Sequence, residues 1–527
     1  MTQRLFRSTL RYAACGLALW GGLSAPALAQ EAPMSAIDWL SQRLQEPSAP
    51  AATRPQTPPK PSDISENALP EDITVRPLGE IDIDATGLLS AASTGLPRGL
   101  WGASTATDLA RRITNIAARR DLLPASRRLL NTLILTELDP PMAAGGDGRL
   151  FRARLDALLA QGLLDEADAM MARSGTTDPS IFRRSFDTKL LLGTENEACA
   201  QLTSTPGLSP TLQAKVFCLA RSGDWNAAAL TLETSDALGL IDAEQSELLA
   251  RFLDPELFED APTLTAPKDP SPLTFRLMEA IGEPLPTVTL PLAFAQSDLR
   301  SSNGWKARAT AAERLARVGA LDPNRWLGIW SEHLPAASGG IWDRIDVLQR
   351  FEIALNSNNP VAVGRALTPV WDEMRRAGLQ SVFADLFATR LAALPLSADQ
   401  AEVALEVALL SKDYELLALD YSATQTDRVT LLTSLAVGDV PATRPRDALQ
   451  RAILDGFRHD GVPVRLNGLV ESRRLGEAIL RAIELLEGGA AGDLDELSDA
   501  LQFFRSIGLG VTARRAALEL LLLERRG

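Results

Sequence analysis

The chain has 527 residues, 53 Lys+Arg against 67 Asp+Glu for a formal charge of −14, and only two histidines, three cysteines and three tyrosines. Long-range repulsion makes so acidic a chain a poor partner for nucleic acid or anionic membranes, and so few His and Cys exclude His-rich metal sites and zinc-finger arrays. Hydrophobic residues at 46% and charged residues at 23% match folded proteins, and the length suffices for a large core.

Residues 1–29 predict a secretory signal peptide. Arg4, Arg7 and Arg11 give a positive start with no acid, residues 12–23 are a short apolar stretch, and Ala27-Leu28-Ala29 supplies the small-x-small site, with cleavage after Ala29. The apolar stretch is about a dozen residues, below the roughly 20 that span a bilayer. Removing three arginines from 53 Lys+Arg leaves 50 against 67 acids, so the mature chain would carry −17. No later run is apolar over 18 residues, so no membrane span is expected in the mature chain. An Arg-led signal without a further span predicts a bacterial periplasmic protein.

Residues 30–70 open on a short amphipathic helix. Ser35 can cap it, Ile37, Leu40 and Leu44 recur at helical spacing, and Trp39 joins their side. Eight prolines follow between positions 47 and 77, among Ala, Ser and Thr, which predicts a disordered tether. The helix is a candidate docking element, either for a partner or for its own body. Residues 71–104 read as an extended segment, where Ile73, Val75, Leu78, Ile81 and Ile83 alternate, and then a packed, glycine-punctuated loop over 87–101.

From Thr105 the pattern becomes helical. Leu109, Ile113 and Ile116 share one face, and Leu129, Leu130, Leu133 and Leu135 form the next run. A motif then recurs: an apolar residue, Gly or Asn four positions on, and a small residue five beyond that. It appears as Leu158–Gly162–Ala167, Leu219–Gly223–Ala228, Leu355–Asn359–Gly364 and Phe504–Gly508–Ala513. Gly or Asn ends one helix in the left-handed conformation, and the small residue admits the next helix closely. The expected fold is an all-α, helical-hairpin α-solenoid in two halves, residues 105–254 and 301–527. Residues 255–300 form the Pro-rich crossover, where residues 287–290 are β-favouring. In the second half Trp305, Trp326, Trp330, Trp342 and Trp371 supply bulk, and the leucines at 520–523 either cap the core, the favoured reading, or form an apolar interface.

Cys199 and Cys218 are the two cysteines beyond the signal, on predicted helices joined by a Pro-Gly turn. An oxidising compartment favours a structural disulfide, worth about 3 kcal/mol for such a loop. Buried thiols and a redox pair are the alternatives, and the second lacks its Cys-x-x-Cys signature.

The sequence contains no Gly-x-Ser-x-Gly, phosphate-binding loop or His-Glu-x-x-His. Gly508, Gly510 and Ala513 match a dinucleotide fingerprint, but a helical pattern precedes them and only 14 residues follow, so they read as a helix–helix turn. Asp82, Asp84 and Thr86 start like a calcium loop whose twelfth position is Ser93 rather than Glu. His333 and His459 fall at helix ends with no nucleophile in register. No catalytic, cofactor-binding or metal-binding residue is expected, and neither is enzymatic activity.

The helix pairs with small residues at their crossings resemble tetratricopeptide-like α-solenoids. The signal, residues 37–40, the Pro-rich tether, residues 95–101 and the paired cysteines together resemble a group of secreted bacterial α-helical repeat proteins sometimes labelled "antifreeze glycopeptide polyprotein". That label implies ice binding through tandem Ala-Ala-Thr units, of which this sequence has one, at residues 51–53. The expected function is a periplasmic, non-catalytic scaffold that binds other cell-envelope proteins. A cell-wall glycan hydrolase or lyase on a helical scaffold is the alternative, and an ice-binding protein is a disfavoured third.

Overall fold

The computed structural model describes residues 82–142, 146–175, 178–420, 426–440 and 444–523. Ala29, the candidate docking residues Ile37, Trp39, Leu40 and Leu44, the Pro-rich tether and the start of the extended segment lie outside the described residues. Within them the chain is an all-α array of helical hairpins, an α-solenoid. The only ladder among the described residues is a two-residue parallel bridge, Leu89 opposite Thr136 and Ser90 opposite Glu137.

The hairpin turns follow the recurring motif. At Gly162, Gly223 and Gly508 φ is +78°, +88° and +87°. The next N–H reaches back to close each turn: Leu163 to the Leu158 carbonyl, Asp224 to Leu219, and Leu509 to Phe504, at 2.9, 3.0 and 2.7 Å. These carbonyls would otherwise be orphaned at the helix end. The small residues Ala167, Ala228 and Ala513 are fully buried where the second helix meets the first. A Cβ on Gly364 would lie 2.1 Å from Gln400 Oε1. One copy departs from expectation. Asn358, not Asn359, takes the left-handed conformation, with φ +50°. Asn359 instead caps helix Pro360–Ala377 through its side chain, which accepts from the N–H groups of Val361 and Ala362. Asparagine suits either role.

Two further expectations are corrected. Ile83 lies in a 3₁₀ turn, Ile83–Ala85, rather than in an extended run, because the Asp82 side chain accepts the Asp84 N–H and caps it. Residues 287–290 are not a strand either, since Thr287–Thr289 form a 3₁₀ turn after Pro286. The crossover also contains a helix, Pro272–Ala280. Ser271 caps it and Pro272 occupies its first turn, where proline is tolerated. Its Leu273, Leu277 and Met278 join a core spanning residues 182–278, together with Phe186, Val216 and Leu248. A larger core gathers residues from Leu96 to Leu522, including the fully buried Trp101, Trp326 and Trp330. Leu520 and Leu522 are buried in it, as expected of a capping leucine run.

The array closes on itself. Helix Pro124–Leu135 packs against Leu475–Ala490 and Gly510–Leu522, and helix Ala106–Ala117 packs against Leu475–Ala490. Helix Pro124–Leu135 starts at Leu123 with no side-chain cap of its own. Two of its N-terminal N–H groups are taken by distant carboxylates: Leu123 donates to Glu487 Oε1 at 3.0 Å and Ala125 to Glu519 Oε2 at 2.7 Å. Glu519 is buried and also pairs with Arg128. Nearby, Arg112 bridges Glu477 and Glu484. The 87–101 loop is clamped on the same side, where Leu100 accepts the Gly476 N–H at 2.9 Å and Trp101 fills the space a Cβ on Gly476 would need.

Replacing Glu519 by Ala leaves a buried N–H and a half-buried guanidinium without their acceptor, an expected loss of about 3 kcal/mol. Glu519→Gln keeps an acceptor for Ala125 and should lose clearly less. Urea unfolding of the two variants beside the parent checks the order.

Candidate functional site

Cys199 and Cys218 form a disulfide, with Cα atoms 5.1 Å apart, between helices Glu195–Ser204 and Leu212–Arg221. Both are buried in the core of residues 182–278, which is much smaller than the main core, and the bond staples two of its helices. His333 is exposed and meets Trp305 edge to face at 5.3 Å. His459 Nδ1 pairs with the Asp455 carbonyl at 2.9 Å, at the end of its own helix. Gly508 and Ala513 belong to a helix–helix turn, as expected. Asp84 is buried and accepts the Phe151 N–H at 2.7 Å. No group of three or more His, Cys, Asp or Glu among the described residues is arranged to hold a metal. No helix among them is long and apolar enough to cross a membrane.

Two features stand out as surfaces for recognition. The first is helix Trp225–Ala237. It buries Ala228, Leu232 and Ser235, yet its other side is apolar too. Leu230 is 65% exposed and Leu238, at its end, 50%, with Trp225 and Leu240 also exposed. Trp225 packs beside Phe252 at 6.3 Å, so the ring is held rather than free. Over residues 222–260 the carboxylates Asp224, Glu233, Asp236, Asp242, Glu244 and Glu247, and four more from Asp254 to Asp260, are all exposed. The only cation of that stretch, Arg251, is buried. An apolar face on an acidic lobe results.

The second is a cavity where the array closes. One lobe, of about 630 Å³, lies between Leu122, Arg127, Arg317, Arg375, Gln380 and Ala490. An adjoining lobe of about 530 Å³ shares Arg127, Arg317 and Gln380 and adds Asn131, Glu166 and Asp385. These sizes fall in the range of small-molecule sites. The lining comes from helix ends more than 350 residues apart, including Arg120 at one extreme and Ala490 and Leu523 at the other. No local sequence signal announces such a site. Desolvation by burial raises the Glu166 and Asp385 carboxyls above the usual range, Asp385 despite accepting the Lys412 N–H at 2.6 Å.

A third, smaller hollow of about 230 Å³ is lined by Asp187 with Arg183, Gln213 and Thr274. Burial pushes the Asp187 carboxyl up to about 6, against the pull of Arg183 and Arg184. A folded-state value above the unfolded one means the fold favours the protonated form. Stability contributed there is complete below the unfolded value near 3.8 and is lost as pH rises to about 6. Asp187→Asn should therefore be more stable than the parent by about 3 kcal/mol above pH 7, and equal to it near pH 3.5. Denaturant midpoints across pH 3.5–8 check this crossing.

No family model, curated protein or solved structure matches the chain.

Proposed function

We propose that the chain is a periplasmic, non-catalytic scaffold that binds other cell-envelope proteins through its helical-repeat surface. The observation that carries this reading is the exposed apolar face of helix Trp225–Ala237 on its acidic lobe. Several large exposed apolar side chains grouped on one helix of a folded body mark a candidate interaction surface. Tryptophan and leucine anchors bind best when desolvated at the centre of a contact with a polar rim. Exposed carboxylates around them favour a partner that offers apolar side chains rimmed by lysine and arginine, and steer its approach. The disulfide supports the same reading, because it holds this lobe's helices in place and limits the ordering cost of binding.

The test is crosslinking in intact cells followed by affinity capture with full-length protein. A partner that depends on this face should be lost with Leu230→Asp and with Trp225→Ala, each costing at least tenfold in recovery. Its binding to purified protein should weaken as salt rises. A partner recovered equally with both variants removes this face from the reading.

A second reading, a cell-wall glycan hydrolase, rests on Glu166 and Asp385. Both carboxyls are raised by burial and line one lobe of the central cavity, and glycoside hydrolysis uses a carboxyl held protonated as its general acid. It expects muropeptide release from purified peptidoglycan, abolished by Glu166→Gln. Absence of release ends it.

A further inference from the structure

The larger lobe of the closure cavity contains buried polar groups that the protein leaves unserved. Arg127, in the second turn of helix Pro124–Leu135, is only 8% exposed. Its guanidinium makes no hydrogen bond or ion pair among the described residues, and it lines both lobes. Glu487 and Asp121 act on it only through the field. Gln380, 5% exposed, opens helix Gln380–Ala392 and lines both lobes, also without a side-chain partner among the described residues. Arg375 Nε and Asn131 Oδ1 are buried at the same cavity without acceptor or donor. Buried guanidinium and amide groups are costly without partners, and nearly all of these are donors.

The rest of the lining has a definite character. Arg120, exposed and without an ion pair among the described residues, and Arg317 add positive charge, against Asp121 alone among the acids of the larger lobe. Leu122, Val318, Ala490 and Leu523 give that lobe an apolar wall. Arg127 is lowered by burial only to about 10 and keeps its proton at neutral pH.

We propose that this lobe is a binding site for an amphipathic organic anion, whose charged group sits on Arg127 and Gln380 and whose apolar body lies against Leu122, Val318 and Ala490. The inference goes beyond the scaffold reading and does not depend on it. The anionic group takes the planar fork of Arg127, which matches carboxylate and phosphate oxygens, and Arg120 and Arg317 attract it from solvent. The adjoining lobe sets four acids, Asp165, Glu166, Asp322 and Asp385, against four arginines, Arg127, Arg128, Arg317 and Arg325, and so lacks the excess positive charge of the larger lobe. This sets the orientation, with the head between the arginines and the tail towards the apolar wall.

The test is calorimetric titration of the full chain with three probes: octyl phosphate below its micelle concentration, inorganic phosphate and octyl glucoside. The site predicts one octyl phosphate per chain, with inorganic phosphate and octyl glucoside each at least tenfold weaker. Arg127→Gln should weaken octyl phosphate at least tenfold. Ala491→Trp, which projects a ring into the lobe from an exposed position, should do the same. Arg120→Gln, also exposed, should weaken it several-fold. If Arg127→Gln does not fold, as read by circular dichroism, the two exposed variants decide the outcome. A cavity that holds water only gives no saturable heat with octyl phosphate, which overturns the proposal. So does binding of several probe molecules per chain that all three variants leave unchanged, the mark of adsorption to an outer apolar face.

Discussion

Helix Pro124–Leu135 begins on a leucine followed by a proline, and its free N–H groups have no local acceptor. Carboxylates 364 and 394 residues further along the chain supply it. This contact decides the architecture. Buried peptide N–H groups without partners are costly, and the start of a helix is where a negative group is most stabilised. Glu487 and Glu519 meet both conditions at once. An open solenoid holds together by neighbour contacts alone. Here the last helices also complete the first, so the two ends are stabilised jointly.

Closure also creates the cavity. Helices ending near Arg120, Arg317, Ala377, Ala490 and Leu523 converge beside the same helix start. Converging helix ends leave space, because side chains near a terminus do not interdigitate like those along a helix face. Arginines line that space. Two of them are engaged on one side by buried glutamates: Arg317 shares Glu313 with Arg344, which lies outside the lining, and Arg375 shares Glu406 with Arg428, also outside it, while Glu406 accepts from Trp371 Nε1 as well. The glutamates are buried, so these pairs are screened by solvent less than surface pairs. Arg127 stands apart from this network. Although the chain carries a net charge of −14, the larger lobe is lined by four arginines, Arg120, Arg127, Arg317 and Arg375, against the single acid Asp121.

The outer face of the 182–278 lobe follows a different logic. Its disulfide compensates for a small core, and helix Trp225–Ala237 carries apolar residues on both sides. Much of this was legible in the residues. Leu219, Gly223 and Ala228 announced a tight hairpin, and Cys199 and Cys218 lay on helices that a short turn makes antiparallel neighbours. The helix Pro272–Ala280 was harder to see, because Pro270 and Pro272 read as interruption. Yet proline at a first helical position, after a serine cap, starts a helix as readily as proline inside one ends it. Asn359 was misread for a related reason, since an asparagine ends one helix or begins the next according to which backbone region its neighbour takes.

The sequence by itself determined the all-α class and the glycine-closed hairpin turns and pointed to the pairing of Cys199 with Cys218, because each depends on residues within about 20 positions of one another. Left-handed glycines, small residues at crossings and apolar periodicity act locally and survive translation into structure. Tertiary structure alone decided the closure, the cavity and which charges face it. Nothing near Leu123 foretells Glu487 and Glu519, and nothing near Arg127 foretells Gln380 or Ala490. Those contacts come from many small rotations between successive hairpins, whose sum brings the chain's last helices back to its first. No short-range pattern encodes that sum.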